Sequence, residues 1–321
     1  MQPMHLSLDE AIDGFELWMH ASGYSQITIQ SYIANLRRIS AAWDNPDLID
    51  VSRQQVLSYL ADVKKSGRSP ETVRTYLKNI HLFYGWVSEE FAVPRPDLNI
   101  KPPSQKTESD VLPLSENDVR ALIKAANGKS SYVQPGNRAG YRMVRHDAKR
   151  DTALIYLLLD TGLRVSEAAR LTIRDVDLKT CEIRIHPFET GKKSKPRTVF
   201  IKPATASKLW TYLNERKRRQ GAQPSDHDPL FLTKNRLPMD RNAIQKLVAS
   251  LGERAGVPGV HPHRFRHTFA VEYLRNGGDP FTLQRILGHS SLRMVNYYLS
   301  LVREDLQNAH RSASPVEGWN L

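Results

Sequence analysis

Between Phe91 and Leu114 the chain carries Pro94, Pro96, Pro102, Pro103 and Pro113, and this stretch constrains the fold more than any other. Proline lacks a backbone N–H and fixes φ, so neither a helix interior nor a central strand runs through such a segment. The residues between these prolines show little periodic pattern, which suits an extended connection. The 321 residues are therefore expected to divide here into two domains. The expected organisation is a helical domain over 1–92, a linker over 93–114, a second domain over 115–305 and a tail over 306–321.

The part before the prolines reads as four helices. Ser7 and Glu10 have capping-box spacing, Leu8, Ala11, Phe15 and Trp18 follow one face, and Gly23 is a stop. Ile29, Tyr32, Ile33, Leu36 and Ile39 keep a 3.6-residue rhythm. A third helix is expected from about Ser52 to Lys65. Ser69-Pro70 is an N-cap followed by proline at the first helical position. The fourth helix carries Val73, Leu77, Ile80, Tyr84 and Val87 on one face, and its other face holds Arg74, Lys78 and His81. That face suits either water or a phosphate backbone.

In the second domain, Ser115 caps a helix through about Ala126. The basic stretch from Asn127 to Lys149, with Arg138, Arg142 and Arg145, reads as a loop with some helix. Asp151 to Asp160 is an apolar helix broken by Gly162. Residues 182–185 and 197–201 read as two short strands around the lysine-rich turn Thr190 to Pro196. The remainder is mostly helical, so the fold class is mainly α with a small β-sheet.

The chain has 46 Lys and Arg against 34 Asp and Glu, a net charge of +12. That excess suits a polyanion such as DNA. A membrane surface would call for an amphipathic anchor, and none is visible. The longest apolar run, Ala153 to Leu159, is far too short to span a bilayer. Cys181 is the only cysteine, so no intrachain disulfide forms. The start lacks a basic-then-apolar signal pattern. A cytoplasmic protein is expected.

Three stretches carry candidate chemistry. In Thr161-Gly162-Leu163-Arg164-Val165-Ser166-Glu167, Arg164 follows a sharp turn and opens a helix, where a guanidinium can fork onto a phosphate. In His261-Pro262-His263-Arg264-Phe265-Arg266-His267, His263 and Arg266 share a helix face and could clamp an oxyanion. His263 and His267 have the i,i+4 spacing of a zinc pair, but no glutamate lies between them in the His-Glu-x-x-His manner, and Cys181 stands alone. No metal is expected. In the third stretch, His289 follows Leu287-Gly288, and Tyr297 and Tyr298 lie on the next helix. Val295, Tyr298, Leu299 and Val302 form an apolar stripe, which would make Tyr298 a packing residue and Tyr297 the freer phenol. Periodicity alone leaves the choice of tyrosine open.

Together these motifs, in this order and spacing, resemble the tyrosine recombinase (phage integrase) family over essentially the whole chain. The resemblance implies a helical core-binding domain followed by a mixed α/β catalytic domain. It implies a site-specific DNA recombinase that cleaves and rejoins DNA through a 3′-phosphotyrosine, without cofactor, metal or ATP. Carried over by motif, Arg164, His263, Arg266 and His289 match catalytic positions. The family nucleophile lies nine residues after that last histidine, at Tyr298. The catalytic lysine falls in the turn between the strands, where alignment of Arg197-Thr198-Val199 selects Lys192 over Lys193 and Lys195. Glu167 and Asp175 match acidic positions expected to orient the arginine turn. Arg74, Lys78, Arg142 and Lys195 are candidate DNA contacts.

The resemblance also implies double-stranded DNA with specific recombination sites as partner, and a tetramer on two such sites held together through the carboxy-terminal segment. No arm-binding domain is recognisable before residue 5, which disfavours a two-site integrase. Leu299-Ser300 and Arg264-Phe265 depart from the commoner family residues without removing a catalytic group. A type IB topoisomerase-like DNA relaxation activity and a non-catalytic DNA-binding protein are the alternatives. The intact Arg, Lys, His, Arg, His and Tyr set argues against the second.

Overall fold

The computed structural model describes residues 5–103, 112–132, 141–144, 147–187, 196–221, 223–289 and 291–313; for 129–132, 141–144 and 304–313 it describes the backbone alone. The chain forms two compact units divided near residues 109 and 110.

The first unit contains α1 (Leu8–Ala21), α2 (Gln26–Ala42), α3 (Arg53–Lys65) and α4 (Pro70–Phe91). Each begins at a serine whose hydroxyl accepts a backbone N–H of the first turn: Ser7, Ser25, Ser52 and Ser69. Ser7 and Glu10 complete a reciprocal box, and Pro70 takes the position where no N–H is needed. The faces that carry Ile12, Phe15, Ile29, Leu36, Leu77 and Phe83 close on one another in a single core. Phe15 and Phe83 meet edge to face at 5.4 Å.

The first part of the proline-rich segment packs more firmly than an extended connection would. Val93 and Ile100 are buried in the first unit's core. Asp97 is fully buried and accepts from Arg95 Nη2 at 2.7 Å and from the His81 ring. Burial opposes ionisation of Asp97, but these bonds outweigh it and hold the carboxyl below its usual range. His81 is thereby committed to Asp97. The Arg74 guanidinium donates to the Pro103 carbonyl at 2.6 Å, while Lys78 stays exposed.

The second unit is built around α6 (Ala148–Thr161), whose Leu154, Ile155, Leu157 and Leu158 are wholly buried. Around it lie α5 (Glu116–Asn127), α7 (Val165–Arg170), α8 (Pro203–Gln220), α9 (Arg241–Ala255), α10 (Pro262–Arg275), α11 (Pro280–Leu287) and α12 (Arg293–Ala313). The stretch after α5 differs from the expected loop. Lys129–Tyr132 (β1) pairs antiparallel with Tyr141–Val144 (β2), in the register Lys129 to Val144. Arg142 lies on β2 opposite Ser131. A second sheet has the antiparallel order β3 (Val176–Asp177), β4 (Glu182–Ile185), β5 (Arg197–Phe200). Ile183 and Val199 face each other across β4 and β5 and are buried in the unit's core. The turn with Lys192, Lys193 and Lys195 lies outside the described residues.

Among the described residues no helix is long and apolar enough to cross a membrane.

Candidate active site

Two sharp helix endings create the site. The first is at the end of α6, where Gly162 takes a left-handed conformation (φ 58) and its N–H donates to Leu158 O at 3.1 Å. A β-carbon at this position would fall 2.6 Å from the Phe269 ring and 2.8 Å from Leu287. Glycine is thus required here for its backbone and for the close approach of α10 and α11. After this turn Arg164 becomes the N-cap of α7. Its backbone N–H donates to Glu167 Oε2 at 2.8 Å and its Nη1 to Glu167 Oε1 at 3.2 Å.

The second ending is at α11, where Gly288 is also left-handed (φ 63). The last carbonyls of α11, at its negative dipole end, then face a group of guanidiniums. Arg164 donates to Leu287 O at 3.3 Å and to Gly288 O at 3.2 Å. Arg266, on α10, donates to Leu287 O and to Gly162 O, each at 2.8 Å. Arg197, on β5, donates to Ile286 O at 2.6 Å.

Three arginines so close together repel one another, and Glu167 offsets this. It is 3% exposed and receives both Arg197 Nη1 and Nη2 at 2.9 Å, in addition to its bonds from Arg164. Burial alone would raise the Glu167 carboxyl. The bonds and charges of Arg197 and Arg164 outweigh burial and hold it at about 2. Arg266 is 1% exposed, and burial together with the Arg164 charge lowers its guanidinium to about 9.

The imidazoles complete the cluster. Arg266 Nη2 lies 2.6 Å from His289 Nε2. The His289 ring stacks on Tyr298, with centroids 6.5 Å apart and planes at 17°. Burial first, then Arg266 and Arg164, depress His289 to about 3. His263 is lowered by burial and by Arg266, and His267 is lowered to about 4 by burial and by His263. All three rings are therefore neutral at pH 7 in the free protein.

The structure brings Arg164, His263, Arg266, His289 and Tyr298 into one neighbourhood. Tyr298 is fully buried among Ala270, Val271, Leu274, Leu283 and Leu287, while Tyr297 is half-buried. The apolar stripe on α12 is narrower than its periodicity suggested. Val295 and Val302 are buried, but Leu299 is 36% exposed, since the i+4 position here falls at the edge of the packed face.

Asp175 does not orient the arginine turn. It accepts the Thr172 N–H at 2.8 Å and the Thr172 hydroxyl at 2.7 Å, and it pairs with His186 at 2.9 Å. In the sequence Arg197 serves only to align the lysine turn; its clamp on Glu167 and the α11 carbonyl joins elements far apart in the chain and leaves no local pattern beyond a cation just inside a strand.

Comparison with known proteins gives a consistent picture. The model of the phage integrase family matches residues 113–304, and that of the phage integrase N-terminal SAM-like domain matches residues 12–91. Tyrosine recombinase XerD of Bifidobacterium longum is 31% identical over 278 residues, covering 84% of this chain and 83% of that protein. XerD of Xanthomonas axonopodis pv. citri is 29% identical over 325 residues, covering 98% and 99%. A Tn1549 transposon integrase, solved in complex with a circular intermediate DNA, shares the fold with a TM-score of 0.71 at 18% identity, over 94% of this chain and 99% of that one. The chain belongs to the phage integrase family, the tyrosine recombinases.

Proposed function

We propose that this chain is a site-specific DNA recombinase that cuts one strand with Tyr298 and rejoins it to another. The observation that carries this reading is the contact chain Arg266, His289, Tyr298, with Arg164 on the same α11 carbonyl.

A free phenol has a pKa near 10 and is a weak nucleophile at neutral pH. Beside two guanidiniums, a phosphodiester would have its non-bridging oxygens neutralised as charge builds on the pentacovalent phosphorus. The planar fork of arginine suits this task better than a lysine point charge. The 35% of the Arg164 side chain that is exposed supports a role for it in meeting the phosphate, with the buried Arg266 as the floor beneath. His263 and His289, neutral in the free protein, can donate to the oxyanion or accept the phenol proton.

The Tyr298 oxygen bonds to phosphorus and the bond from phosphorus to the 5′ oxygen breaks. Lys192 protonates that departing oxygen, an assignment that rests on the family resemblance. The phosphotyrosine ester conserves the bond energy, so a 5′ hydroxyl from a second strand can attack it, release the tyrosine and restore the DNA without ATP. Recognition of specific sites, with Arg74, Lys78, Arg142 and Lys195 as backbone contacts, and a tetramer bridging two DNA sites complete the proposal. Double-stranded DNA is the partner, and the cytoplasm is the proposed location.

The test begins by recovering and sequencing the DNA that the wild-type protein traps covalently in its host. Nicked duplexes built from that DNA then report adduct formation. Tyr298→Phe should bind these duplexes and form no adduct, and Tyr297→Phe should still cleave. A trapped peptide with its phosphate on Tyr297 would overturn the assignment.

A further inference from the structure

One ring in the cluster has no part in the reaction described above. His267 follows Arg266 on α10 and is 7% exposed. Its ring meets His263 edge to face at 4.5 Å. It also meets Tyr298 at 5.3 Å and 72°, and Tyr297 at 6.4 Å and 84°. Its centroid is therefore nearer to Tyr298 than that of His289, at 6.5 Å. The Nδ1 of His267 is buried and has no hydrogen-bond partner among the described residues.

A polar atom buried without a partner loses its hydrogen bonds to water and gains none in return. Phenylalanine or leucine would fill the same space without that cost, so packing alone is a poor account of this imidazole. Burial and the neighbouring His263 hold the ring neutral, and a neutral imidazole offers one acceptor nitrogen. The torsion that turns the ring has broad wells, so a small rotation could aim that nitrogen at a partner.

We propose that His267 is a positioning residue for Tyr298: with DNA bound, its Nδ1 accepts a hydrogen bond from the Tyr298 hydroxyl and points the phenol oxygen at the phosphorus. The proposal rests on the reading of Tyr298 as nucleophile. His267 makes and breaks no covalent bond in it: once the phenol oxygen is aimed, the O–H turns from Nδ1 to His263 or His289, which takes the proton.

The experiment compares His267→Asn, His267→Gln, His267→Phe and His267→Ala in the full chain, on the nicked duplexes defined above. An asparagine amide can stand where Nδ1 stands, a glutamine amide lies nearer to Nε2, and phenylalanine keeps only the ring. All four should bind DNA within about threefold of wild type, since the contact matters after binding. His267→Phe, His267→Gln and His267→Ala should form adduct about tenfold or more slowly, the loss of one well-placed hydrogen bond. His267→Asn should recover to within about threefold of wild type.

A wild-type rate for His267→Phe would reduce the residue to packing and overturn the proposal. So would a His267→Asn variant as slow as His267→Phe. If His267→Phe or His267→Ala melts early, the comparison of His267→Asn with His267→Gln at equal folded fraction decides. Mapping the wild-type adduct keeps the two readings apart: phosphate on Tyr297 would refute the nucleophile assignment, whereas phosphate on Tyr298 with no effect of His267 would refute only the positioning role.

Discussion

Replacing Glu167 by glutamine should be among the most damaging single changes in the second unit, although Glu167 does no chemistry. The carboxylate receives a backbone N–H and three guanidinium contacts, from Arg164 and Arg197, in a place where it is 3% exposed. An amide would present N–H groups to the N–H groups of Arg197 and leave that buried cation unpaired. Its folded-state value of about 2, against an ordinary 4.5, corresponds to roughly 3 kcal/mol of stabilisation.

The sign follows from linkage. A depressed carboxyl stabilises the fold above its unfolded pKa, and the contribution fades as pH falls from about 4.5 towards 2. Glu167→Gln should therefore lower the melting temperature of the second unit by about 6–12 °C at pH 7, for a unit of this size. The gap between wild type and variant should narrow on acidification below about pH 4. Scanning calorimetry on the intact chain at a series of pH values reads both effects. Adding Arg197→Met should restore part of the lost stability, because it removes the stranded cation, without restoring cleavage. A Glu167→Gln protein that melts within about 2 °C of wild type, with an unchanged acid limb, would show that the carboxylate does not carry the arginine cluster.

Three further outcomes are expected. Lys192→Ala should cleave normal DNA slowly yet recover on DNA with sulfur at the 5′ bridging position, which leaves without a proton; Arg164→Ala should not recover, and rescue of Lys193→Ala or Lys195→Ala instead would move the general acid. Gly162→Ala, strained at φ 58 and pressed against Phe269 and Leu287, should destabilise the second unit by about 2–4 kcal/mol in denaturant titrations and lower the cleavage rate. Deleting Ser312 to Leu321 should leave binding to one half-site almost unchanged and reduce cooperative filling of the second; gel shifts that still show cooperative filling would remove the tail from the assembly.

Legibility in the sequence followed the range of the interactions. The caps at Ser7, Ser69 and Ser115 are local patterns a few residues long, and each stands at a helix start in the structure. The hairpin formed by β1 and β2 went unread because Lys129-Ser130-Ser131-Tyr132 alternates weakly and lies among basic residues and glycines. The packing of residues 93–100 depends on the buried Asp97, which no periodicity marks. The motif residues were each visible as types, but the clamp of Arg197 on Glu167 joins positions 30 apart in sequence. Asp175 matched an acidic position by order along the chain, whereas its partners are Thr172 and His186.

The short helix α11 has a further consequence for how such a site can vary. Its last carbonyls, at Ile286 and Leu287, and the one that follows at Gly288 hold Arg197, Arg266 and Arg164. Each residue turns a helix by about 100°. A one-residue insertion or deletion between Pro280 and Leu287 would swing those carbonyls around the axis and away from all three guanidiniums. A substitution at Phe281, 62% exposed on the same helix, would leave them in place. The site therefore measures the length of α11 more strictly than its composition, and an indel scan would find it intolerant along these eight residues. One added alanine there would silence strand cleavage with every reacting side chain still present.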